Sequence, residues 1–571
     1  MHYQEEYEKW LTSPLVDQTA KDELAALRGS EEEIEDRFSA MLDFGTAGLR
    51  GIMRAGLNGM NTYTVRYATQ GLANLINHCG EDPARGVTIA YDSRHHSAEF
   101  AREAAGVLTA NGIPVYLFDE LRPTPELSFA LRETGSLAGI NITASHNPKE
   151  YNGYKVYWSD GAQLPPEHAR QISDQIAQID IFEDVKIMPL EEAESQGLVT
   201  MLGQAMDEKY MTQVLAQSVA GDYVAKAADE LSIIYSPFHG SGYKLVPEIL
   251  RRLGMKHVFT VKEQMVIDGD FPTVASPNPE NKEGFAIAIE MAKEKGIDLM
   301  IGTDPDGDRC GVVVRSGDDF VSLTGNQVGI LLLDHLISVR REKGILAPNS
   351  AVVKSVVSSP MANKICEVNG IKMFETLTGF KYIGEKIKEF EASGDYTFLF
   401  GFEESCGYLT GTYARDKDAE LAAMLIAEMA CRYHTMGKTL YQALQDLYKK
   451  YGYYEETVYA HTVNGFDGPK KIADCMRRLR ETPPKALGLP VEAVRDYSTG
   501  IVTAADGTMS STGLPESNML FFDLAEGCRA VFRPSGTEPK LKYYVMTRGE
   551  TSEEAKAREE AVLAAGKALL Q

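Results

Sequence analysis

No two of the seven cysteines (Cys79, Cys310, Cys366, Cys406, Cys431, Cys475 and Cys528) are spaced as CxxC, and their number is odd. A scattered set of this kind excludes a disulfide framework and a cysteine-built zinc site, and it predicts reduced thiols in the cytoplasm. No run of about eighteen apolar residues is present to span a bilayer. The first residues, Met1-His2-Tyr3-Gln4-Glu5-Glu6-Tyr7, lack the basic and apolar stretches of a secretory signal, which again favours the cytoplasm. Positive charge is also short: the formal net charge is -24, which excludes general nucleic-acid binding and adhesion to anionic membranes. An anionic substrate would have to be held by local Arg and Lys.

Nucleotide motifs are missing as well. Gly437-Lys438-Thr439 has the tail of a P-loop, but Arg432 stands where its first glycine is required. Gly240-Ser241-Gly242 is followed by Leu245 where a dinucleotide fingerprint has its third glycine. Neither ATP nor NAD is indicated. There is no GxSxG elbow and no low-complexity segment.

What the 571 residues do contain is an ordinary globular composition, 44% hydrophobic and 25% charged, with length for about four domains. Three apolar runs open into polar loops. Ile140-Asn141-Ile142 leads to Thr143-Ala144-Ser145-His146-Asn147-Pro148. Leu299-Met300-Ile301-Gly302-Thr303 leads to Asp304-Pro305-Asp306-Gly307-Asp308-Arg309. Phe398-Leu399-Phe400-Gly401 leads to Phe402-Glu403-Glu404-Ser405-Cys406-Gly407. In open α/β sheets ligands bind at the carboxyl ends of strands, so the three loops are expected to converge.

The segments around these loops share one plan. Residues 1 to 40 read as an amphipathic helical lead-in, and Phe44 to Gly51 as a glycine-rich turn holding Arg50. A helix over 65–76 then precedes strand 87–91, helix 98–110, strand 114–118, helix 126–134 and strand 139–142, ending at Ser145. The order recurs in strand 231–235, helix 244–253, strand 257–261, helix 284–295 and strand 298–301, ending at the aspartates. It recurs again in strand 351–356, helix 361–369, strand 372–375, helix 383–391 and strand 397–400, ending at the glutamates. Such alternation predicts three similar α/β domains with mixed sheets. After Leu440 the texture changes to strands (457–462, 519–522, 528–532) and helices (470–480, 552–570), a smaller α+β domain joined through the region 438–454. The expected domains are 1–205, 206–318, 319–445 and 446–571.

Each loop has a chemistry. Asp304, Asp306 and Asp308 would repel one another without a cation, and all-oxygen ligation suits Mg²⁺. An EF-hand is excluded, since Gly307 falls at the fourth loop position and Arg315 stands where the bidentate Glu belongs. The plainer reading is an exposed acidic turn, but the buried strand before it and Arg309 after it argue for a metal cage. Ser145 has His146, Asn147, Lys149 and Lys155 nearby in sequence; adjacent Ser and His are not expected to face each other as triad members would. A serine beside a metal can instead carry a phosphoryl group of charge about -1.5 to -2. Arg533-Pro534-Ser535-Gly536-Thr537-Glu538-Pro539-Lys540 combines a guanidinium, hydroxyls and a tight turn suited to a phosphate monoester.

Taken together, TASHNP, DPDGDR, the EES loop, RPSGTEPK and the GTAGLRG start, in that order along nearly the whole chain, resemble the α-D-phosphohexomutase superfamily. The resemblance implies four domains around one central cleft. It implies that Ser145 is the phosphorylated residue and a metal ligand together with Asp304, Asp306 and Asp308. Arg50, His146, Lys155, Arg309 and Lys417 match charged catalytic positions, with Lys155 or His146 as proton acceptor. Thr378, Gly379 and Lys381 match a recognition loop, Glu403 and Ser405 the sugar-hydroxyl ligands, and Arg533, Ser535, Gly536 and Thr537 the site for the non-reacting phosphate.

The implied reaction is interconversion of α-D-glucose 1-phosphate and glucose 6-phosphate, with Mg²⁺ as cofactor and glucose 1,6-bisphosphate as intermediate and activator. Tyr408 after Gly407 departs from the GGExSGH pattern of phosphomannose and phosphoglucosamine enzymes. Phe402 stands where GEES enzymes for glucose often have glycine, as in the branch containing phosphoglucomutase 2 and the phosphopentomutases. Mannose and pentose phosphates are the alternatives within the superfamily. A metal-dependent sugar phosphatase and a non-catalytic sugar-phosphate-binding protein are alternatives outside it. The only partner expected is a small sugar phosphate, with no nucleic acid, no membrane and no oligomeric state specified.

Overall fold

The computed structural model describes residues 3–45, 48–463, 468–535 and 540–570. It divides into two compact units, one of Met1–Ser322 with Gly407–Arg432 and one of Leu323–Cys406 with Tyr433–Gln571.

In the first unit the acidic lead-in folds as three short helices, Tyr3–Thr12, Gln18–Ala25 and Glu31–Phe38. Their apolar positions Trp10, Leu24, Ile34 and Phe38 are buried together with Tyr63 and Tyr67. Asp17 caps the second helix by accepting from the Ala20 N–H at 2.9 Å, satisfying one of its free donors.

The first α/β sheet has Val87–Tyr91 at its centre, parallel to Val115–Phe118 on one side and to Ala138–Ile142 on the other. These strands read as continuous apolar runs because helices cover both faces. Two antiparallel strands complete this edge. Tyr151–Trp158 pairs with Ala138–Ile142, placing Lys155 directly opposite Asn141, and Gly48–Ile52 pairs with Tyr151–Trp158. Neither was expected: 44–51 read as a glycine-rich turn, whereas Gly48–Ile52 is an edge strand. Gly48 has φ +133°, and a Cβ there would lie 1.8 Å from the Tyr154 carbonyl oxygen, so the close pairing requires glycine.

The second sheet repeats the plan. Ser232–Ser236 lies between His257–Thr260 and Leu299–Thr303, all parallel, and Cys310–Ser316 returns antiparallel along the last of these. In the second unit Ser350–Ser355 lies parallel between Lys372–Thr376 and Thr397–Glu403. The triplicated order is therefore real: among the parallel strands of each domain, the one that leads to the polar loop is third in sequence and flanks the first. Three α/β domains are followed by a β-rich C-terminal domain.

That last domain is an antiparallel sheet running Tyr453–Thr462, Lys540–Gly549, Arg529–Pro534, Leu520–Leu524, Leu489–Asp496, Ile501–Ala504 and Met509–Ser511. Helices Gly468–Glu481 and Ser552–Leu570 cover it through Met476, Leu479 and Val562. The expected junction at 438–454 is mostly helix, Leu440–Tyr451, begun by a Thr439–Gln442 capping box. The expected limit at 445/446 falls inside that helix, and the one at 205/206 inside Gln204–Leu215. Among the described residues no helix is long and apolar enough to cross a membrane.

Candidate active site

The carboxyl edge of Ala138–Ile142 delivers Ser145, which takes the left-handed conformation at φ +51°. A non-glycine residue held there is strained by about 1–2 kcal/mol, and the surroundings keep it in place. Arg94 does most of this. Its buried guanidinium donates to the carbonyl oxygens of Ser145 at 2.6 Å, Asn147 at 2.5 Å, Pro148 at 2.8 Å and Tyr151 at 3.0 Å, while Phe271 lies 5.1 Å from it. Asp92 accepts from Thr143 Oγ1 at 2.6 Å and from Ser97 Oγ at 2.7 Å, and Thr143 Oγ1 accepts from the Ser145 N–H at 2.8 Å. Asp92 and Arg94 end the central strand Val87–Tyr91, so their position in the βαβ unit was the available signal for a role that sequence reading missed.

The left-handed turn aims Ser145 Oγ at Asp304 Oδ2, 2.8 Å away. It also brings His146 Nδ1 to 3.2 Å from Ser145 Oγ. The expectation that these neighbours would not face each other is corrected here, because the positive φ folds the two side chains to one side.

Asp304, Asp306 and Asp308 are all buried, and each can offer an oxygen within 4.8 Å of the others. In every case one oxygen is held and another points elsewhere. Asp304 Oδ1 accepts from the N–H groups of Asp308 and Arg309, both at 3.0 Å, leaving Oδ2 to Ser145. Asp306 Oδ2 lies 2.8 Å from Lys155 Nζ, and Asp308 Oδ2 lies 3.1 Å from Lys417 Nζ and 3.6 Å from Lys155 Nζ. Asp306 Oδ1 and Asp308 Oδ1 are buried without a hydrogen-bond partner among the described residues. Buried carboxylate oxygens in that state, next to a serine hydroxyl, fit an oxygen-ligated divalent cation.

Burial pushes the Asp304 carboxyl well above its ordinary value, and Asp306 and Asp308 add to the effect. Burial opposes charge on Asp306 too, but Lys155 overrides it and holds that carboxyl well below the ordinary range. Burial also works against the charge of Lys155, yet Asp306 and Asp308 outweigh it and keep the ammonium above its ordinary value. His146 is pushed well below its ordinary value by burial, with Arg309 and Arg50 adding.

The remaining cations frame this cluster. Arg50, opposite Gly153 in the sheet, donates to Asn147 Oδ1 at 3.3 Å. Arg309 donates to Glu280 Oε1 at 2.7 Å. Lys417 also touches Asp416 at 3.2 Å, and Asp416 accepts from Tyr157 Oη at 2.9 Å and Gln163 Nε2 at 3.1 Å. A Cβ on Gly407 would meet Lys417 Cδ at 2.0 Å, so the lysine reaches the aspartates only past a glycine. Thus Ser145, His146, Lys155, Arg50, Arg309, Lys417 and the three aspartates come together in one unit.

The second unit holds the rest. Glu403 ends strand Thr397–Glu403, and its Oε1 accepts from the Gly379 N–H at 2.6 Å, joining the glutamate loop to Thr378–Lys381. Gly379 has φ +124° and precedes helix Phe380–Ser393. Lys381 Nζ lies 5.3 Å from the Tyr382 ring, and burial lowers its pKa. Ser405 follows Glu404, whose Oε2 accepts from Ser355 Oγ at 3.0 Å. Phe402 is buried, stacked 5.6 Å from Phe400, and a Cβ on Gly329 would meet its ring at 2.5 Å; it is a core residue.

Arg533 lies at the end of strand Arg529–Pro534, opposite Lys542, and the Ser535 N–H donates to the Lys540 carbonyl at 2.8 Å. Gly536 and Thr537 lie outside the described residues. Burial raises the Tyr544 phenol, Glu404 and Glu403 add to it and Arg533 opposes it, so that one ring feels both the glutamate loop and Arg533.

Family models for the α/β/α domains of phosphoglucomutase/phosphomannomutase match this chain at 41–182 (domain I), 208–317 (domain II) and 324–451 (domain III). The chain belongs to the α-D-phosphohexomutase superfamily. A phosphoglucomutase of Staphylococcus aureus (strain USA300) is 38% identical over 520 residues, covering 90% of this chain and 91% of that protein. Solved relatives share the fold. A phosphoglucomutase/phosphomannomutase family protein from Burkholderia thailandensis has TM-score 0.65 at 18% identity, over 92% of this chain and 97% of its own. The open form of parafusin, a phosphoglucomutase from Paramecium, has TM-score 0.67 at 18% identity, over 93% and 95%. This phosphohexomutase is accordingly an isomerase of the phosphotransfer type.

Proposed function

We propose that the protein interconverts glucose 1-phosphate and glucose 6-phosphate through phosphoserine at Ser145, with glucose 1,6-bisphosphate as the intermediate. The observation that carries this reading is the strained Ser145, whose Oγ touches Asp304 within a buried cage of three aspartates. A serine meant only to cap a turn needs neither feature.

The free hydroxyl of a sugar monophosphate attacks the phosphorus on Ser145. A new sugar O–P bond forms, the Ser145 Oγ–P bond breaks, and the hydroxyl proton passes to a base. The resulting bisphosphate reverses end for end, and Ser145 Oγ takes the other phosphoryl group. Asp304, Asp306, Asp308 and Ser145 would hold Mg²⁺, which supplies charge stabilisation for the Ser145 oxygen. Arg50, Arg309, Lys155 and Lys417 stabilise the equatorial oxygens in flight, where positioning and charge do most of the work.

Lys155 beside Asp306 and His146 beside Ser145 Oγ are the two candidates for taking the proton of the attacking hydroxyl. Glu403 and Ser405 would take the sugar hydroxyls, Thr378, Gly379 and Lys381 would orient the sugar, and Arg533, Ser535, Gly536 and Thr537 would take the phosphate that does not react.

Because Phe402 faces the core, its presence does not by itself select a pentose, and glucose remains the favoured sugar. The test is a phosphorus NMR time course with Mg²⁺ and a trace of glucose 1,6-bisphosphate, offering glucose 1-phosphate, mannose 1-phosphate or ribose 1-phosphate separately. Fastest conversion of the glucose ester without free phosphate supports the reading. Release of free phosphate alone, or faster conversion of another sugar, overturns it.

A further inference from the structure

Behind the aspartate cage lies a pair of residues that the reaction above does not use. Thr124 opens helix Thr124–Thr134 of the first α/β domain and is fully buried. Its N–H donates to the Asp306 carbonyl oxygen at 2.8 Å, and its Oγ1 donates to Asp306 Oδ2 at 3.0 Å. Asn141, also fully buried, donates from Nδ2 to Thr124 Oγ1 at 2.7 Å. The direction is fixed by chemistry. The Asn141 amide nitrogen can only donate, so Thr124 Oγ1 accepts from it and gives its own proton to Asp306 Oδ2.

Asn141 and Lys155 face each other across the sheet, on neighbouring antiparallel strands. Lys155 reaches the same Asp306 Oδ2 at 2.8 Å. One carboxylate oxygen thus receives two donors, Lys155 directly and Asn141 through Thr124. The other, Oδ1, is buried without a hydrogen-bond partner among the described residues.

We propose that Asn141 and Thr124 form a positioning relay that sets the rotation of the Asp306 carboxylate and so fixes Oδ1 as the oxygen presented to the divalent cation. The inference rests on the aspartates being the metal site. Physically, a carboxylate with one tethered oxygen pays less ordering entropy when the cation arrives, and a ligand's outer partners typically govern affinity by about 10–100-fold. The relay also explains why the metal loop of the second domain is read by the first. Asn141 lies on the strand that leads into Ser145, four positions before it, so nucleophile and relay are registered to one strand.

The test measures Mn²⁺ binding to metal-stripped full-length protein by electron paramagnetic resonance, for wild type, Thr124→Val, Thr124→Ser, Asn141→Ala and, as a control, Asp306→Asn. The relay predicts that Thr124→Val and Asn141→Ala weaken Mn²⁺ by about 10–100-fold, while Thr124→Ser stays within about threefold of wild type. In turnover, the loss in Thr124→Val should fall on kcat and be recovered in part by raised metal concentration, with KM for sugar phosphate little changed. If Asp306→Asn loses Mn²⁺ while folded Thr124→Val and Asn141→Ala keep wild-type affinity, the relay is wrong and the metal site stands. If wild type itself binds no Mn²⁺, both fail. Should Thr124→Val not fold, Asn141→Ala against Thr124→Ser decides the matter on the same scale.

Discussion

Ser145 Oγ lies 2.8 Å from Asp304 Oδ2 across the junction of two α/β domains, on a residue held at φ +51°. Contact and strain have one cause: the left-handed turn is what points the hydroxyl at the cage. Removing the hydroxyl should therefore separate activity from stability. Ser145→Ala is expected to abolish mutase turnover with a melting temperature near wild type. Ser145→Gly, free of the positive-φ penalty, should be about 0.5–1 kcal/mol more stable than Ser145→Ala and equally inactive. Thermal melts and a coupled mutase assay on the two variants check this.

The loop is held by Arg94, so breaking that clamp should cost much more than a surface arginine would. Arg94→Met leaves Asp92 buried without its cation and frees four carbonyl groups. A loss of about 3–5 kcal/mol is expected, visible as an early unfolding transition in urea and as faster proteolysis between residues 145 and 151. A wild-type melt would contradict the clamp.

Much of this was legible in the chain and some was not, for identifiable reasons. The buried parallel strands read correctly because they are continuous apolar runs; TASHNP and DPDGDR directly follow two of them, and FEES begins in the last residues of a third. Strand Tyr151–Trp158 was missed because it mixes Asn152, Gly153 and Lys155 with aromatics and begins just after a loop. Arg94 and Thr124 were missed because their roles consist of bonds to residues far along the chain, which local pattern does not encode. The contact of His146 with Ser145 depended on a backbone angle that no residue type announces.

Metal should stabilise the fold as well as serve turnover. Three buried carboxylates converge, and Asp304 in particular resists ionisation through burial and the charges of Asp306 and Asp308. A cation bound only by the native state adds about 2.7 kcal/mol at one hundred times its dissociation constant. Differential scanning calorimetry should show a rise in melting temperature with Mg²⁺, reversed by EDTA and absent in Asp304→Asn.

A pH effect is expected away from the reacting centre. Glu456 is partly buried in strand Tyr453–Thr462 and accepts a hydrogen bond from Ser359 Oγ; desolvation raises its carboxyl to about 7, the serine opposing. Because the folded value exceeds the ordinary one, the native state binds the extra proton, so this group's contribution to stability is greatest at low pH and is lost as pH rises from about 4.5 to about 7. Glu456→Gln should remove this fall. Urea titrations at pH 5 and pH 8 should show wild type losing about 1–3 kcal/mol relative to the variant over that interval.

The most direct test of the phosphoserine account is peptide mass spectrometry of Ser145. Protein incubated with glucose 1,6-bisphosphate and Mg²⁺ should carry one phosphate on the peptide containing Ser145, and subsequent glucose 1-phosphate should discharge it as bisphosphate appears. Turnover that proceeds with Ser145 unmodified, or with the phosphate on another residue, would contradict the account.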